Sequence, residues 1–230
     1  MSGIHEGAVQ GQTANSTVAR GGGEKTTSIG VVYVAYGLNA QREAAESIKS
    51  LRAIWRGVEV LVIGDPVIGA SRSIPHDDRD KGGRDAKTKL GVLSPWAQTL
   101  YLDADTRPRA DVRVGFDILN DGWDMVIAPS KCSGRNWLWH VGGPERAATQ
   151  EELGGRLLTL GGGVIWWDRN ERTQALWAAW RAEWLRWEGQ DQAALMRAYI
   201  ANPCRIWLLS RAWNGGTCIE HRFGAARAKQ

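Results

Sequence analysis

The chain has little of several things that would settle its class at once. Its 230 residues include three cysteines, Cys132, Cys204 and Cys218, odd in number and widely spaced. That pattern argues against a disulfide framework and against a zinc site, and it fits a reducing cytoplasm. No apolar run approaches the ~20 residues needed to cross a bilayer. No basic segment followed by an apolar stretch opens the chain, so no secretory signal is expected. Phenylalanine is scarce, with two Phe against thirteen Trp. Neither sign of charge dominates: 29 basic and 25 acidic residues leave a net +4. Such a balance permits an anionic ligand, a nucleotide or a nucleic acid, and demands neither. There is no internal repeat.

What is present is enough apolar material for a core, 43% of the residues, in a length suited to one compact domain. Residues 1–27 lack apolar periodicity and are rich in Gly, Ser, Thr and Gln, which predicts a flexible tail ahead of a single domain over 28–230. Residues 29–36 (IGVVYVAY) form a short, β-branched, nearly continuous apolar run, as expected of a strand buried on both faces. Asn39 offers an N-cap for a helix to about Trp55, with Ala44, Ile48, Leu51 and Trp55 at helical spacing. Residues 58–63 (VEVLVI) read as a second buried strand, 99–102 as a third, 125–128 as a fourth and 164–167 as another. Residues 85–93 and 193–199 read as helical, and 171–188 as a strong helix. The alternation predicts an α/β fold: a mostly parallel central sheet with helices on both faces. Trp177, Trp180, Trp184 and Trp187 fall on one face of the 171–188 helix, which reads as packing onto the sheet rather than as membrane attachment or a stacking platform. Residues 131–155 read as a long, irregular, Gly-rich loop of the kind that often serves function.

The sharpest chemical signal is Asp103-Ala104-Asp105, directly after the apolar strand 99–102. In open α/β sheets ligands bind beyond the carboxyl ends of the strands. Alternate side chains of an extended segment share a face, so the two carboxylates can converge on one cation. Carboxylate oxygens select a hard divalent ion such as Mg²⁺ or Mn²⁺, which in turn can clamp a diphosphate. Asp-x-Asp alone is also a common solvated turn.

Its surroundings resemble the GT-A glycosyltransferases, specifically family 8, typified by glycogenin and the bacterial lipopolysaccharide galactosyltransferases. Thr88-Lys89-Leu90 is similar to that family's T-K-L, whose basic residue touches the donor. The segment from Leu160 through Gly161, Gly162 and Gly163 to Ile165 resembles its N-S-G-V, with glycines replacing Asn and Ser. The segment Gly189-Gln190-Asp191-Gln192 and the following Ala193-Ala194-Leu195 closely resembles its G-G-D-Q-x-x-L. The segment Ile219-Glu220-His221-Arg222-Phe223-Gly224 resembles its V-V-H-F-x-G, which supplies a third protein ligand to the metal. The five motifs stand in the family's order across residues 29–229.

The resemblance implies a GT-A domain and a metal-dependent, retaining hexosyltransferase that uses a UDP-sugar. It implies Asp103, Asp105 and His221 as ligands of Mn²⁺ or Mg²⁺. It implies Asp191 and Gln192 at the reacting centre, with Asp191 stabilising the oxocarbenium-like carbon or binding the donor sugar. It places Ala35, Tyr36, Gly37 and Asp65 near base and ribose, with Tyr36 able to stack on uracil. Arg84, Lys89, Ala104, Gly162, Gly163 and Gly224 then line the donor site. The family's C-terminal lysine has no direct counterpart: Arg227 takes its place, the closing Pro-Trp is absent, and Lys229 is the other candidate. From the residues alone Asp191 also reads as an N-cap, Asp65 as the cap of a turn and Tyr33 as core.

The acceptor is open on this reading: a saccharide, a small molecule, or a hydroxymethylated pyrimidine in DNA, which would have to be flipped out to be reached. Lys131, Arg135, Trp137, Trp139, His140 and Arg146 interleave charge with aromatics and suit either a sugar or a nucleic acid. Two rival classes remain, a sugar nucleotidyltransferase and a non-catalytic nucleotide-sugar binding module. The first is disfavoured because the turn after the first strand has too few glycines. The expected location is the cytoplasm, without a membrane span.

Overall fold

The computed structural model describes residues 28–75, 82–131, 137–154 and 158–226. The predicted tail 1–27, Cys132, Arg135, Arg227 and Lys229 lie outside the described residues.

The first strand, β1 (Ile29–Ala35), pairs in parallel with β2 (Val60–Gly64), which pairs with the short β3 (Arg72–Ile74). On its other side β1 pairs in parallel with β4 (Gln98–Leu102). Beyond it come β7 (Leu160–Asp168), β6 (Met125–Pro129) and the edge strand β8 (Ile206–Leu208), giving the order β3-β2-β1-β4-β7-β6-β8. β7 alone runs against its neighbours. The expected mostly parallel sheet is therefore present.

The continuous apolar runs follow from two covered faces. Val31, Tyr33 and Ala35 of β1 face α1 (Gly37–Ile54), whose Ala40, Ala44, Ile48 and Leu51 form the apolar stripe, and α4 (Val114–Asn120), which adds Phe116. Val32 and Val34 face the other way, toward α2 (Gly82–Thr88), α3 (Leu90–Leu93), α6 (Glu171–Leu185) and α7 (Asp191–Ala201). Tyr33 is core, as expected. The tryptophan stripe of α6 packs on the sheet: Trp177, Trp180 and Trp184 are buried, and Trp187 at its end is half exposed. Trp177 sits where a Cβ on Gly91 would be, 2.6 Å from the Trp177 Cβ, so α3 approaches α6 closely.

Three local expectations need correction. α1 starts at Gly37, with Tyr36 in the cap position, so Asn39 lies inside the helix. α7 starts at Asp191 with Gln190 in the cap position, so Asp191 is the first helical residue rather than the cap. Residues 131–155 are not irregular throughout, because they hold α5 (Gly143–Glu152). Pro144 in its first turn, with Glu145 beside it, is an ordinary start signal that the surrounding glycines obscured. The fold also holds a two-stranded ribbon of β5 (Thr106–Pro108) and β9 (Ile219–His221), each three residues long and too short for periodicity to reveal. Among the described residues no helix is long and apolar enough to cross a membrane.

Candidate functional site

The ribbon explains how residues over a hundred positions apart meet. β5 follows the Asp103–Asp105 turn, and its antiparallel register sets Thr106 opposite His221. The Arg222 amide donates to the Asp105 carbonyl at 2.9 Å, closing the ribbon onto that turn. Glu43 of α1 anchors both strands, accepting from Arg107 at 2.5 Å and from Arg222 at 3.0 Å.

Asp103, Asp105 and His221 offer ligand atoms that all lie within 4.8 Å of one another. Each carboxylate has one oxygen engaged and one turned toward the imidazole. Asp105 Oδ2 accepts from the Gly224 and Ala225 amides at 2.7 and 3.1 Å, leaving Oδ1 at 3.1 Å from His221 Nε2. Burial pushes the Asp105 carboxyl up, but the His221 ring and the Gly224 amide outweigh it and hold the pKa at about 2. Asp103 Oδ1 accepts from the Tyr101 hydroxyl at 2.5 Å and Lys87 at 3.3 Å, leaving Oδ2 at 3.5 Å from Nε2. Burial and the Asp103 charge keep the Tyr101 phenol well above its ordinary pKa, so it stays a donor.

Asn214 orients the imidazole. Its amide nitrogen donates to the Gly161 carbonyl at 3.3 Å, which turns its oxygen toward His221 Nδ1 at 2.7 Å. With Nδ1 held by that oxygen, Nε2 is the ring atom that faces the two carboxylate oxygens. Three possible ligand atoms converging in this way can hold a cation, and two carboxylates with one oriented imidazole suit a hard divalent ion such as Mn²⁺ or Mg²⁺. Gly163 supplies the room: a Cβ there would lie 2.6 Å from Asp103 Oδ2 and closer still to His221 Cε1. The donor set fits the ion that the sequence implied.

Asp191 stands beside this centre, at the first turn of α7. Its carbonyl accepts from the Trp180 indole at 2.7 Å, and Trp184 donates to Gly189 at 3.3 Å. The α6 stripe thus fixes the segment that bears Asp191, a role its periodicity alone did not show. Lys87 lies 2.6 Å from Asp191 Oδ2 and bridges it to Asp103. Burial would push the Asp191 carboxyl up, yet Lys87 and Arg84 outweigh it and hold it below the usual range. Burial also works against the Lys87 ammonium, and the two carboxylates more than compensate.

These groups share one cleft of about 760 Å³, also lined by Tyr36, Arg84, Ala104, Gly162, Gly163, Gln192 and Gly224. Gly162 leaves open space next to Lys87 and Asp191, where a Cβ would sit 3.4 and 3.5 Å from their charged atoms. Gln192 lines the cleft but is largely buried; its amide donates to the Leu160 carbonyl at 2.7 Å, so it ties α7 to β7. Arg84 donates to Gln190 at 3.0 Å.

Four expected donor contacts are placed elsewhere. Lys89 pairs with Asp85 at 2.7 Å, outside the cleft. Lys87, next to last in α2, enters instead, while Lys89 lies past the end of α2 in the break before α3. Asp65 accepts from the Gly37 amide at 2.7 Å and so caps the β1–α1 turn, where Gly37 has φ 78°. Ala35 is fully buried, and Gly37 does not line the cleft. Arg227 and Lys229 lie outside the described residues. Sequence reasoning missed Lys87, Tyr101 and Asn214. For Lys87 and Asn214 there was no signal, since their contacts are set by the fold.

No family model and no curated protein sequence matches the chain. Among solved structures it resembles mouse xyloside xylosyltransferase 1 in its apo form, with a TM-score of 0.54 and 11% identity over 80% of this chain and 86% of that one. It also resembles the apo bifunctional glycosyltransferase WbbM, with a TM-score of 0.60 and 14% identity over 84% of this chain and 40% of that one. The chain therefore carries the mixed α/β fold of the GT-A glycosyltransferases, one mostly parallel seven-stranded sheet between helical layers.

Proposed function

We propose that the chain is a metal-dependent, retaining glycosyltransferase that takes a hexose from a nucleotide-sugar, with UDP as the nucleotide. The observation that carries this reading is the convergence of Asp103 Oδ2, Asp105 Oδ1 and His221 Nε2 beyond the carboxyl end of β4, beside Asp191 and Lys87. The fold shared with two glycosyltransferases supports it.

Asp103, Asp105 and His221 would hold Mn²⁺ or Mg²⁺, which when bound supplies Lewis-acid neutralisation of the departing diphosphate. Tyr36 at the end of β1 lines the cleft and offers a ring to the uracil. Gly162 and Gly163 leave the cleft floor free for the diphosphate and sugar. The Asp191 carboxylate, held ionised by Lys87, faces the anomeric carbon and stabilises positive charge there. The bond from that carbon to the leaving phosphate oxygen breaks. The acceptor oxygen bonds to the carbon on the same face, and its proton passes to the departing diphosphate.

The test is nucleoside diphosphate release from a panel of UDP-, GDP- and TDP-sugars, with Mn²⁺ or EDTA, for wild type and Asp105→Asn. The reading expects release from a UDP-sugar that EDTA and the substitution both abolish. Metal-independent release, or no nucleotide binding at all, contradicts it.

A further inference from the structure

The cleft carries one exposed tryptophan whose presentation is built into the fold. Trp139 is 58% exposed, while Trp137, Leu138 and Val141 around it are 5%, 0% and 4% exposed. These three, with Ala193 of α7, form a small core of their own, separate from the two that cover the sheet. Leu138 adopts φ 49°, a left-handed conformation that a Leu rarely takes. That turn, closed by the Val141 amide on the Leu138 carbonyl at 2.9 Å, sends residues 137, 138 and 141 inward and leaves Trp139 in the cleft. α5 follows at once and is strapped to α7 by Glu145 and the buried Arg197 at 3.3 Å. The His140 ring packs edge-on against Trp139, 5.7 Å between centroids.

We infer that Trp139 is the platform on which a pyranose acceptor lays its apolar CH face, so that the acceptor class is a carbohydrate. This rests on the glycosyltransferase reading. An exposed indole in a cleft also lined by polar side chains such as His140 and Gln190 pairs a flat apolar surface with hydrogen-bonding groups, the combination that a sugar ring requires. A polyanion fits less well. Of the cleft's lysines and arginines among the described residues, Lys87 is held by Asp103 and Asp191, Arg84 by Gln190, and Lys131 lies 3.8 Å over the Phe223 ring. Three carboxylates, Asp103, Asp105 and Asp191, face the same space, whereas nucleic acid is held by a row of cations on phosphates.

The experiment measures UDP release from the active UDP-sugar with Mn²⁺, alone and with methyl gluco-, galacto-, manno- and xylopyranosides, for wild type, Trp139→Ala, Trp139→Phe and Trp207→Ala. Trp207 lies on the edge strand β8 and outside the cleft, so Trp207→Ala is the surface control. At least one glycoside is expected to accelerate wild-type release. Its KM should rise about tenfold or more in Trp139→Ala with a smaller change in kcat, and recover largely in Trp139→Phe. The Phe rescue separates a stacking role from a disturbed turn. A wild-type KM in Trp139→Ala overturns the inference. So does wild-type UDP release that no glycoside accelerates, or that only an oligonucleotide bearing hydroxymethylated pyrimidine accelerates. Absence of both wild-type release and Mn²⁺-dependent UDP binding removes the glycosyltransferase reading itself, and the inference with it.

Discussion

A single methyl group placed on β7 tests the cation site without altering any ligand. The Cβ introduced by Gly163→Ala would stand 2.6 Å from Asp103 Oδ2 and 3.0 Å from His221 Nδ1, where ordinary contact begins at 3.4 Å. The backbone of residue 163 cannot retreat, because its carbonyl accepts from the Asp103 amide at 2.8 Å and β7 lies between β4 and β6. Asp103 Oδ2 must then give way by roughly 0.8 Å and the His221 ring by about 1 Å, several times the ~0.2 Å tolerance of a metal site. Misplacement on that scale is worth about 100-fold in affinity or rate. Overpacking should lower stability by only about 1–3 kcal/mol, leaving the protein folded. The assay is calorimetric titration of Mn²⁺ with UDP, alongside two controls. A Cβ on Gly162 meets the flexible Lys87 amine at 3.4 Å, and one on Gly143 meets nothing within 4 Å. Gly163→Ala should lose about 100-fold in Mn²⁺ affinity, Gly162→Ala far less, and Gly143→Ala none. Wild-type Mn²⁺ binding by folded Gly163→Ala would refute the placement of the ion.

Asn214→Leu removes the acceptor that orients His221 Nδ1 and should weaken Mn²⁺ binding about 10–100-fold, whereas Asn214→Asp, which keeps an oxygen there, should lose less; equal losses would contradict the positioning role. Lys87→Met leaves the Asp191 and Asp103 carboxylates without their shared, buried cation. It should lower unfolding stability by about 3–5 kcal/mol, a fall in Tm of roughly 10 °C by thermal melt, and a change under 1 kcal/mol would count against that bridge. Asp124 is buried and accepts from Arg172 at 2.6 and 2.8 Å and from the Arg205 amide at 2.8 Å. Burial pushes its carboxyl up, but those donors hold it far below the usual range. A depressed folded-state pKa contributes stability above the unfolded value, about 3.9, and that contribution fades as pH falls toward the folded one. The Tm gap between wild type and Asp124→Asn should therefore be full at pH 6 and narrow below about pH 4; a constant gap would contradict it.

The strands that build the sheet were legible because they are buried on both faces: 29–35, 60–64 and 98–102 are runs that no other environment tolerates. The long helices showed through their stripes. The ribbon of β5 and β9 was not legible, since three-residue strands carry no period and their pairing spans more than a hundred residues. Of the candidate site, Asp103 and Asp105 were visible at the end of a strand, His221 and Asp191 through the family resemblance, and the fold brings the four into one cleft. The network around them was not. Lys87 and Lys89 are indistinguishable as letters until it is known that α2 ends between them. Asn214 reaches Gly161 and His221 only after the chain has turned back through residues 211–219. Gly161 and Gly162 looked like losses from a family pattern whose own glycine Gly163 keeps. The structure shows side chains crowding the space above two of them, Asn214 over Gly161 and the ligand pair over Gly163.

The most direct measurement is a crystal structure grown with Mn²⁺ and UDP, with the anomalous signal of manganese used to locate the ion. The account predicts a peak bounded by Asp103 Oδ2, Asp105 Oδ1 and His221 Nε2, with the diphosphate completing its coordination and the uracil against Tyr36. A peak elsewhere, or UDP bound with no ion between those three atoms, would contradict it.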